Sequence, residues 1–168
     1  KCVIGNHETL KEFAEKFDVP FFYISHENKD KTEFENEITS ILSNYQLDYI
    51  VLAKFMRILS PAFNAQYTHK VINIHHSFLP AFIGASPYKQ AFERGVKIIG
   101  ATSHYVTEEL DEGPIIEQSV ERVSHVNSPD EMAEIGRDIE AVVLNRAVRW
   151  HAEHRVLLNG TKTVVFSR

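Results

Sequence analysis

The stretch VINIHHSFLP, residues 71–80, joins a strand-like apolar run to a polar end. Ile72 and Ile74 are typical of a strand that is buried on both faces of a sheet. Asn73 and His75 stand two positions apart, so in a strand they project from the same face. Because open α/β sheets bind ligands just beyond the carboxyl ends of their strands, this run predicts a functional site where it ends.

Strand and helix patterns alternate on the amino-terminal side of this run. The predicted strands are KCVIG (1–5), PFFYIS (20–25), LDYIVLA (47–53) and KVINIHH (70–76). The predicted helices between them are HETLKEFAEKF (7–17), DKTEFENEITSILSNY (30–45) and SPAFNAQY (60–67), the last with Ser60 as N-cap. Continuous apolar strands that alternate with helices indicate a parallel sheet covered on both faces.

The pattern changes after Pro80. AFIGA (81–85) predicts a loop, and SPYKQAFERG (86–95) predicts a helix with Ser86 as N-cap and Gly95 as its end. KIIGATSHYV (97–106) and GPIIEQSVERV (113–123) predict antiparallel edge strands joined by an acidic loop.

The remaining chain predicts one long helix and a hairpin. The helix spans 128–154, with a capping box of Ser128 and Glu131. Its predicted buried residues are Met132, Ile135, Ile139, Val142 and Val143. The hairpin turns at Asn159-Gly160. We therefore predict an α/β fold with a doubly wound, mostly parallel, Rossmann-like sheet and antiparallel edge strands, as one domain over residues 1–168.

Composition narrows the class of protein. The 168 residues carry a net charge of −5 and 43% hydrophobic residues, which favours a soluble globular domain and argues against a nucleic-acid partner. The single cysteine, Cys2, fits a reducing, cytoplasmic setting, and no apolar run approaches the ~20 residues of a membrane helix. Because KCVIG at the start already reads as a core strand, we expect the chain to be a fragment of a longer protein.

The polar groups near the end of the fourth predicted strand suggest carbonyl chemistry. The amide of Asn73 can donate to a carbonyl oxygen, and His75 can either stabilise negative charge as an imidazolium or shuttle protons as a neutral ring. The acidic loop TEELDEG (107–113) supplies Asp111 as a candidate base, provided that the edge strands return beside the fourth strand. The alternative reading is structural: a satisfied Asn-His pair, a solvated carboxylate and a core His104.

Other kinds of site have less support. The sequence lacks the glycine-rich phosphate motifs G-x-x-x-x-G-K-[ST] and G-x-G-x-x-G. HAEH at 151–154 is not a zinc motif, and strand alternation predicts that His75 and His76 point to opposite faces and do not chelate one ion. We therefore expect no metal and no bound cofactor, and we interpret Cys2 as a core residue.

The segments NIHHSFLPAFIGASPYKQAFERG (73–95) and GATSHYVTEELDEGPIIEQ (100–118) resemble the folate-dependent formyl transferase fold family. The shared pattern is Asn-x-His-x-Ser-x-Leu-Pro, then Gly-x-Thr-x-His-x-Val, then Asp-x-Gly-Pro-Ile-Ile. VLAKFMRILSP (51–61) resembles the family's strand and loop beside the pteridine. The resemblance covers nearly the whole chain. It implies that a first strand and helix, and a small regulatory domain, precede KCVIG.

The resemblance also implies roles for individual residues. Asn73, His75 and Asp111 match the family's catalytic trio. His104 and Ser77 match structural positions near the site. The residues that match the folate pocket are Met56, Arg57, Leu59, Val106, Thr107, Glu108, Glu109 and Leu110. The basic candidates for the glutamate tail of a folate are Lys54, Arg57, Lys89, Arg94 and Lys97.

Within the family, His76 stands where the transferases usually have proline, and this implies a hydrolytic member. The expected reaction is hydrolysis of 10-formyltetrahydrofolate to formate and tetrahydrofolate, with the folate as small-molecule partner and a homo-oligomeric assembly. On this reading Asp111 orients or deprotonates water and favours an imidazolium at His75. The alternatives are formyl transfer to an amine such as a purine-precursor ribonucleotide, disfavoured by His76, Phe78 and Phe82, and a catalytically inactive folate-binding module.

Overall fold

The computed structural model describes residues 1–80 and 86–167. The predicted loop at 81–85, with Phe82, lies outside the described residues. The chain divides into two compact units, one made of Lys1–Asp48 and Leu59–Gln66 and the other of Tyr49–Ile58 and Tyr67–Arg168. The prediction of one domain over 1–168 stays a prediction. Within the described residues, no helix is both long enough and apolar enough to cross a membrane.

The first unit contains two short parallel strands and three helices. Its elements are β1 (Val3–Gly5), a 3-10 turn (Glu8–Leu10), α1 (Lys11–Lys16), β2 (Phe21–Tyr23), α2 (Lys31–Leu42) and α3 (Pro61–Gln66). β1 pairs with β2 in parallel. Helix α2 begins with a capping box of Asp30 and Glu33 that the sequence patterns did not identify. The Ser60 hydroxyl accepts from the Phe63 backbone N–H at 3.1 Å, which confirms Ser60 as the cap of α3.

The second unit is built on a four-stranded sheet with the order β3-β4-β5-β6. Its elements are β3 (Ile50–Leu52), β4 (Val71–His75), α4 (Pro87–Arg94), β5 (Ile98–Tyr105), β6 (Ile115–Arg122), α5 (Pro129–Ala152), β7 (Val156–Asn159) and β8 (Lys162–Val165). β3 and β4 are parallel, and β5 and β6 follow as antiparallel strands. The α/β class and the antiparallel edge strands are therefore confirmed, as is the β7–β8 hairpin.

Helix α5 covers the sheet with an apolar face. Met132, Ile139 and Val143 join a buried cluster with residues of β4, β5 and α4. The predicted capping box of Ser128 and Glu131 is present. Val142 was wrongly predicted to be buried, since its side chain is 46% exposed. On a helix of 3.6 residues per turn, the buried stripe runs instead through Gly136, Ile139, Val143 and Ala147.

Helix α4 confirms its predicted end and the position of its predicted cap, but the cap makes no side-chain hydrogen bond. Gly95 adopts the left-handed conformation at φ 68° that commonly ends helices. Ser86 occupies the N-cap position, but its backbone is also left-handed (φ 55°) and its side chain makes no capping hydrogen bond. The capping geometry requires an extended N-cap backbone, so the sequence signal was wrong about this bond.

Helices α4 and α5 pack closely where Gly136 faces Tyr88. A Cβ atom built on Gly136 would lie 2.1 Å from the Tyr88 ring, whose hydroxyl donates to Glu140 at 2.7 Å. We expect Gly136→Ala to destabilise the protein by about 1–3 kcal/mol, although alanine is the better helix former, because the ring cannot move without breaking its packing and hydrogen bond. Denaturant unfolding measures this difference.

The exposed Ala141 of the same helix provides the control. Ala141→Gly changes helix propensity alone and is expected to cost about 1 kcal/mol. Adding Tyr88→Ala to Gly136→Ala removes the clash, so the two substitutions should be non-additive. A Gly136→Ala protein that is more stable than the parent contradicts this account of the helix contact.

Candidate active site

The return of β5 along β4 creates the candidate site. Asn73 is paired with His104 and His75 with Thr102 in this antiparallel register. β5 ends beside the amino end of β4, where the Val106 N–H donates to the Val71 carbonyl, and the loop from β5 to β6 carries Asp111 back to His75, the last residue of β4. In this arrangement Asp111 Oδ2 lies 3.3 Å from His75 Nδ1, and Asp111 Oδ1 lies 3.6 Å from His104 Nε2. The structure thus brings two predicted catalytic side chains into direct contact.

Asn73 joins the same cluster through His104. The Nδ1 atom of His104 lies 2.9 Å from the Tyr105 carbonyl oxygen, which can only accept, so Nδ1 carries a hydrogen. His104 Nε2 lies 3.3 Å from the Asn73 side-chain nitrogen. With the hydrogen on Nδ1, Nε2 can accept from the amide, and Asp111 Oδ1 lies 3.6 Å from the same nitrogen. His104 is thus more than a core histidine, because it links the amide to the carboxylate.

Asp111 is held in an unusual backbone conformation. Its φ is 57°, in the left-handed region that aspartate and asparagine tolerate better than most residues. Strained backbone is more frequent at functional sites than elsewhere. The side chain is largely buried, with 13% exposed. Contact with His104, followed by the charge of His75, lowers the pKa of Asp111 and outweighs its burial, so the carboxylate stays ionised.

Burial decides the protonation of His75. Desolvation lowers the pKa of this ring, and the nearby histidines add to the effect, although Asp111 acts in the opposite direction. The expectation that the carboxylate favours an imidazolium is confirmed for Asp111, which raises the pKa of His75, but burial outweighs this contribution and the net pKa is lowered. A neutral ring donates from Nδ1 to Asp111 and leaves a lone pair on Nε2. Nε2 is buried and has no hydrogen-bond partner among the described residues.

The rings of His75 and His76 are stacked. Their centroids are 4.9 Å apart and their planes differ by 16°. The prediction that these two rings point to opposite faces is wrong, because β4 ends at His75 and the strand alternation does not extend to His76. Among the described residues, no group of three or more His, Cys, Asp or Glu side chains is placed to hold a metal ion.

A buried hydrogen-bond network supports the chain that follows β4. The Thr102 hydroxyl donates to the Ser77 carbonyl at 2.9 Å and accepts from the Leu79 N–H at 3.0 Å. The side-chain amide of Gln118 donates to the same hydroxyl at 2.9 Å. Thr102 and Gln118 were not identified as site residues from the sequence, because their role depends on the pairing of β4, β5 and β6.

Gly113, at the end of the acidic loop, allows a close contact between two backbone segments. A Cβ atom here would lie 1.7 Å from the Tyr105 carbonyl oxygen, so the two backbones approach each other closely. Only glycine permits this approach, which brings the chain back beside β5 directly after Asp111. The sequence offered the signal in its Asp-x-Gly-Pro pattern, but the reason for the glycine is a tertiary contact.

The predicted folate-pocket residues lie in three places. Met56 is exposed on the segment after β3, and Leu59 is buried in the first unit. The 106–110 segment runs from β5 to Asp111, with its Val106 N–H donating to the Val71 carbonyl at 2.9 Å. Arg57 is half-buried and belongs to the second unit. The folate-binding roles of all these residues stay predictions.

Comparison with known proteins matches one protein family over most of this chain. The family model described as formyl transferase matches residues 1–148. The formyltetrahydrofolate deformylase of Bacillus subtilis (strain 168) is 53% identical over 98% of this chain and 55% of its own length. The enzyme of the same name from Escherichia coli (strain K12) is 53% identical over 98% of this chain and 59% of its own length. The chain thus spans little more than half of these relatives.

Solved structures agree in fold. The structure of a formyltetrahydrofolate deformylase from Pseudomonas syringae pv. tomato str. DC3000 has a TM-score of 0.94 at 53% identity, covering 98% of this chain and 55% of its own. The phosphoribosylglycinamide formyltransferase of Anaplasma phagocytophilum has a TM-score of 0.89 at 33% identity, covering 98% and 80%. The predicted formyltransferase fold is confirmed.

Replacing Thr102 by valine tests the network below the site. The change keeps the shape of the side chain but removes the buried hydroxyl that accepts from the Leu79 N–H and donates to the Ser77 carbonyl. We expect a loss of about 1–3 kcal/mol for each group left unsatisfied. The measurement is the denaturation midpoint. Thr32→Val on the exposed face of α2 is the matched control and should change stability by less than about 0.5 kcal/mol. Equal midpoints for both variants would show that the network is not required.

Proposed function

The chain belongs to the formyl transferase family, and on that premise we propose that it carries the catalytic site of an enzyme that hydrolyses 10-formyltetrahydrofolate to formate and tetrahydrofolate. The observation that carries the proposal is the convergence of Asn73, His75 and Asp111 around one buried cluster. The relatives named as deformylases at 53% identity support water as the acceptor.

In the proposed reaction, the amide of Asn73 stabilises the oxygen of the formyl group. Its nitrogen bears two hydrogens, of which one faces His104, so the other is available to the substrate. Negative charge develops on the formyl oxygen when the tetrahedral intermediate forms. A pre-positioned donor of this kind commonly contributes ~10²–10³ in rate.

In this proposal, His75 acts as the general base. Its pKa is lowered by burial, so the ring is neutral near pH 7, and its Nδ1–H faces Asp111. The lone pair on Nε2 takes a proton from water as the water oxygen bonds to the formyl carbon. The Asp111 carboxylate orients the ring and stabilises the imidazolium that then forms. This assigns proton abstraction to His75 rather than to Asp111.

Collapse of the intermediate returns the proton. The oxygen re-forms its double bond to carbon as the bond between carbon and nitrogen breaks. The imidazolium donates its Nε2 proton to the leaving nitrogen, which gives tetrahydrofolate, and formic acid loses its proton to solvent as formate. The cycle needs no oxidant and no additional co-reactant, and His75 ends neutral.

Folate binding is assigned to the two segments that the family resemblance points to. The 106–110 segment reads the pterin largely through backbone groups, and the candidates of the other segment are Met56, Arg57 and Leu59. Arg57 and Lys54, close to Met56 in sequence, are basic candidates for the glutamate tail, while Lys89, Arg94 and Lys97 are exposed alternatives. We also propose a cytoplasmic homo-oligomer with no bound cofactor.

The competing function is formyl transfer to an amine. The structural similarity to the Anaplasma phagocytophilum formyltransferase keeps this alternative open. The deciding experiment measures formate released from 10-formyltetrahydrofolate by the intact protein, with and without amine acceptors. Release in water that acceptors do not change supports hydrolysis. Release of formyl groups only when an amine is present, with a formylated amine as product, overturns it.

Asp111→Asn tests the carboxylate with the least disturbance. Asparagine has the same shape and also tolerates the left-handed backbone, so the loop should keep its course. We expect kcat to fall by at least ~10²-fold, because the imidazolium loses its stabilising charge, while folate binding is largely kept. Steady-state formate release and folate titration measure the two effects.

Glu112→Gln is the matched control for this charge change. Glu112 is the adjacent residue of the same loop, and its side chain is exposed. The Glu112→Gln variant should keep the activity of the parent within about twofold. Near-parent activity in Asp111→Asn would remove Asp111 from the mechanism.

The pH dependence follows from the direction of the His75 shift. A base must be unprotonated, so activity should fall at acidic pH as His75 gains a proton. Because burial places the pKa of His75 below its ordinary value of 6.5, the acid limb of kcat/KM should lie below pH 6.5. A pH–rate profile of the parent checks this. Activity that rises as the pH falls through this range would instead favour an imidazolium as the active form.

A further inference from the structure

The proposed reaction uses His75 but not the stacking of His76 on it. The two rings are nearly parallel, at 16°, with centroids 4.9 Å apart. His75 is buried, whereas His76 is half-buried and lies just after the end of β4. An aromatic ring at this separation is close enough to contribute packing as well as charge.

His75 needs more than one contact to fix the direction of its ring. The terminal torsion of a histidine side chain is broad, so it does not by itself choose one ring orientation. The 3.3 Å contact between Nδ1 and Asp111 restrains one edge of the ring but leaves it free to tilt about that contact. A second ring lying flat against its face restrains the tilt.

Resting on the function proposed above, we propose that His76 is a positioning residue, whose ring packs on His75 and holds it so that Nδ1 faces Asp111 and Nε2 faces the reacting group. His76 does not touch the reacting atoms in this account. Its contribution is made through the orientation and the charge state of its neighbour.

His76 also affects the pKa of His75, together with the other titratable groups that face this ring. The ring faces Asp111 from the β5–β6 loop, His104 from β5 and His76 from its own segment. Asp111 favours the protonated form of His75, whereas the two other histidines oppose it. Removing the His76 imidazole therefore raises the pKa of His75. The stack and the charge can be separated, because phenylalanine keeps the flat ring without the imidazole nitrogens.

The test compares His76→Phe and His76→Ala with the parent in the intact protein. We expect His76→Phe to keep kcat at high pH within about twofold, and His76→Ala to lose roughly threefold to tenfold because the packed face is gone. In both variants, the acid limb of the kcat profile should move to higher pH. KM for 10-formyltetrahydrofolate should stay near the parent value.

A direct measurement needs no substrate. Nitrogen-15 NMR of the imidazole rings follows the titration of His75, with its signals identified by their loss in His75→Gln. The pKa of His75 should be higher in both His76 variants than in the parent. His125→Phe is the control, because His125 is exposed in the chain between β6 and α5 and should change neither the titration nor kcat.

The outcomes separate this proposal from the proposed function. If the parent releases no formate, the function fails, while the NMR titration still decides whether His76 acts on His75. An unchanged His75 titration, with parent kcat in both variants, overturns the positioning role. Equal losses of kcat in both variants without a shift of the acid limb also overturn it. Thermal unfolding checks that the variants fold, and if His76→Ala does not, the near-isosteric His76→Phe decides by its titration.

Discussion

The candidate site depends on the antiparallel pairing of β5 with β4. This register sets Asn73 beside His104, and the loop that leaves β5 near the amino end of β4 carries Asp111 back to His75, the last residue of β4. Asp111 reaches His75 because of that return, and Gly113 allows the chain to pass close to the Tyr105 carbonyl immediately afterwards. The contact between histidine and carboxylate is therefore a product of sheet pairing rather than of local sequence.

Burial gives this contact its chemical character. In water, a carboxylate beside an imidazole favours the protonated ring. In the folded protein, desolvation of His75 outweighs that attraction, so the pKa of the ring falls although Asp111 lies 3.3 Å away. Asp111 meanwhile stays ionised through its contact with His104. The pair thus combines a neutral base with an adjacent negative charge, an arrangement suited to taking a proton from water.

The sequence predicted the outline of this protein well because its local signals agree with one another. The order of strands and helices, the capping box of Ser128 and Glu131, and the hairpin at Asn159-Gly160 all depend on neighbours a few positions apart. The wrong predictions concern positions where the folded structure, rather than the neighbours in sequence, sets the backbone conformation or the burial of a side chain. Ser86 occupies the N-cap position of α4 without making a capping hydrogen bond, and Val142 lies outside the buried stripe of α5.

The sequence by itself determined the α/β class, the family and the residues Asn73, His75 and Asp111 as candidates, because strand periodicity and motif order are properties of the chain alone. Only the tertiary structure decided how these residues meet and in which protonation state. It also showed the stack of His76 on His75 and the role of Thr102, since each depends on groups that are distant in sequence or lie beyond the end of a strand. The physical reason is that desolvation and ring packing are set by all the neighbours of a side chain, and sheet pairing brings those neighbours together.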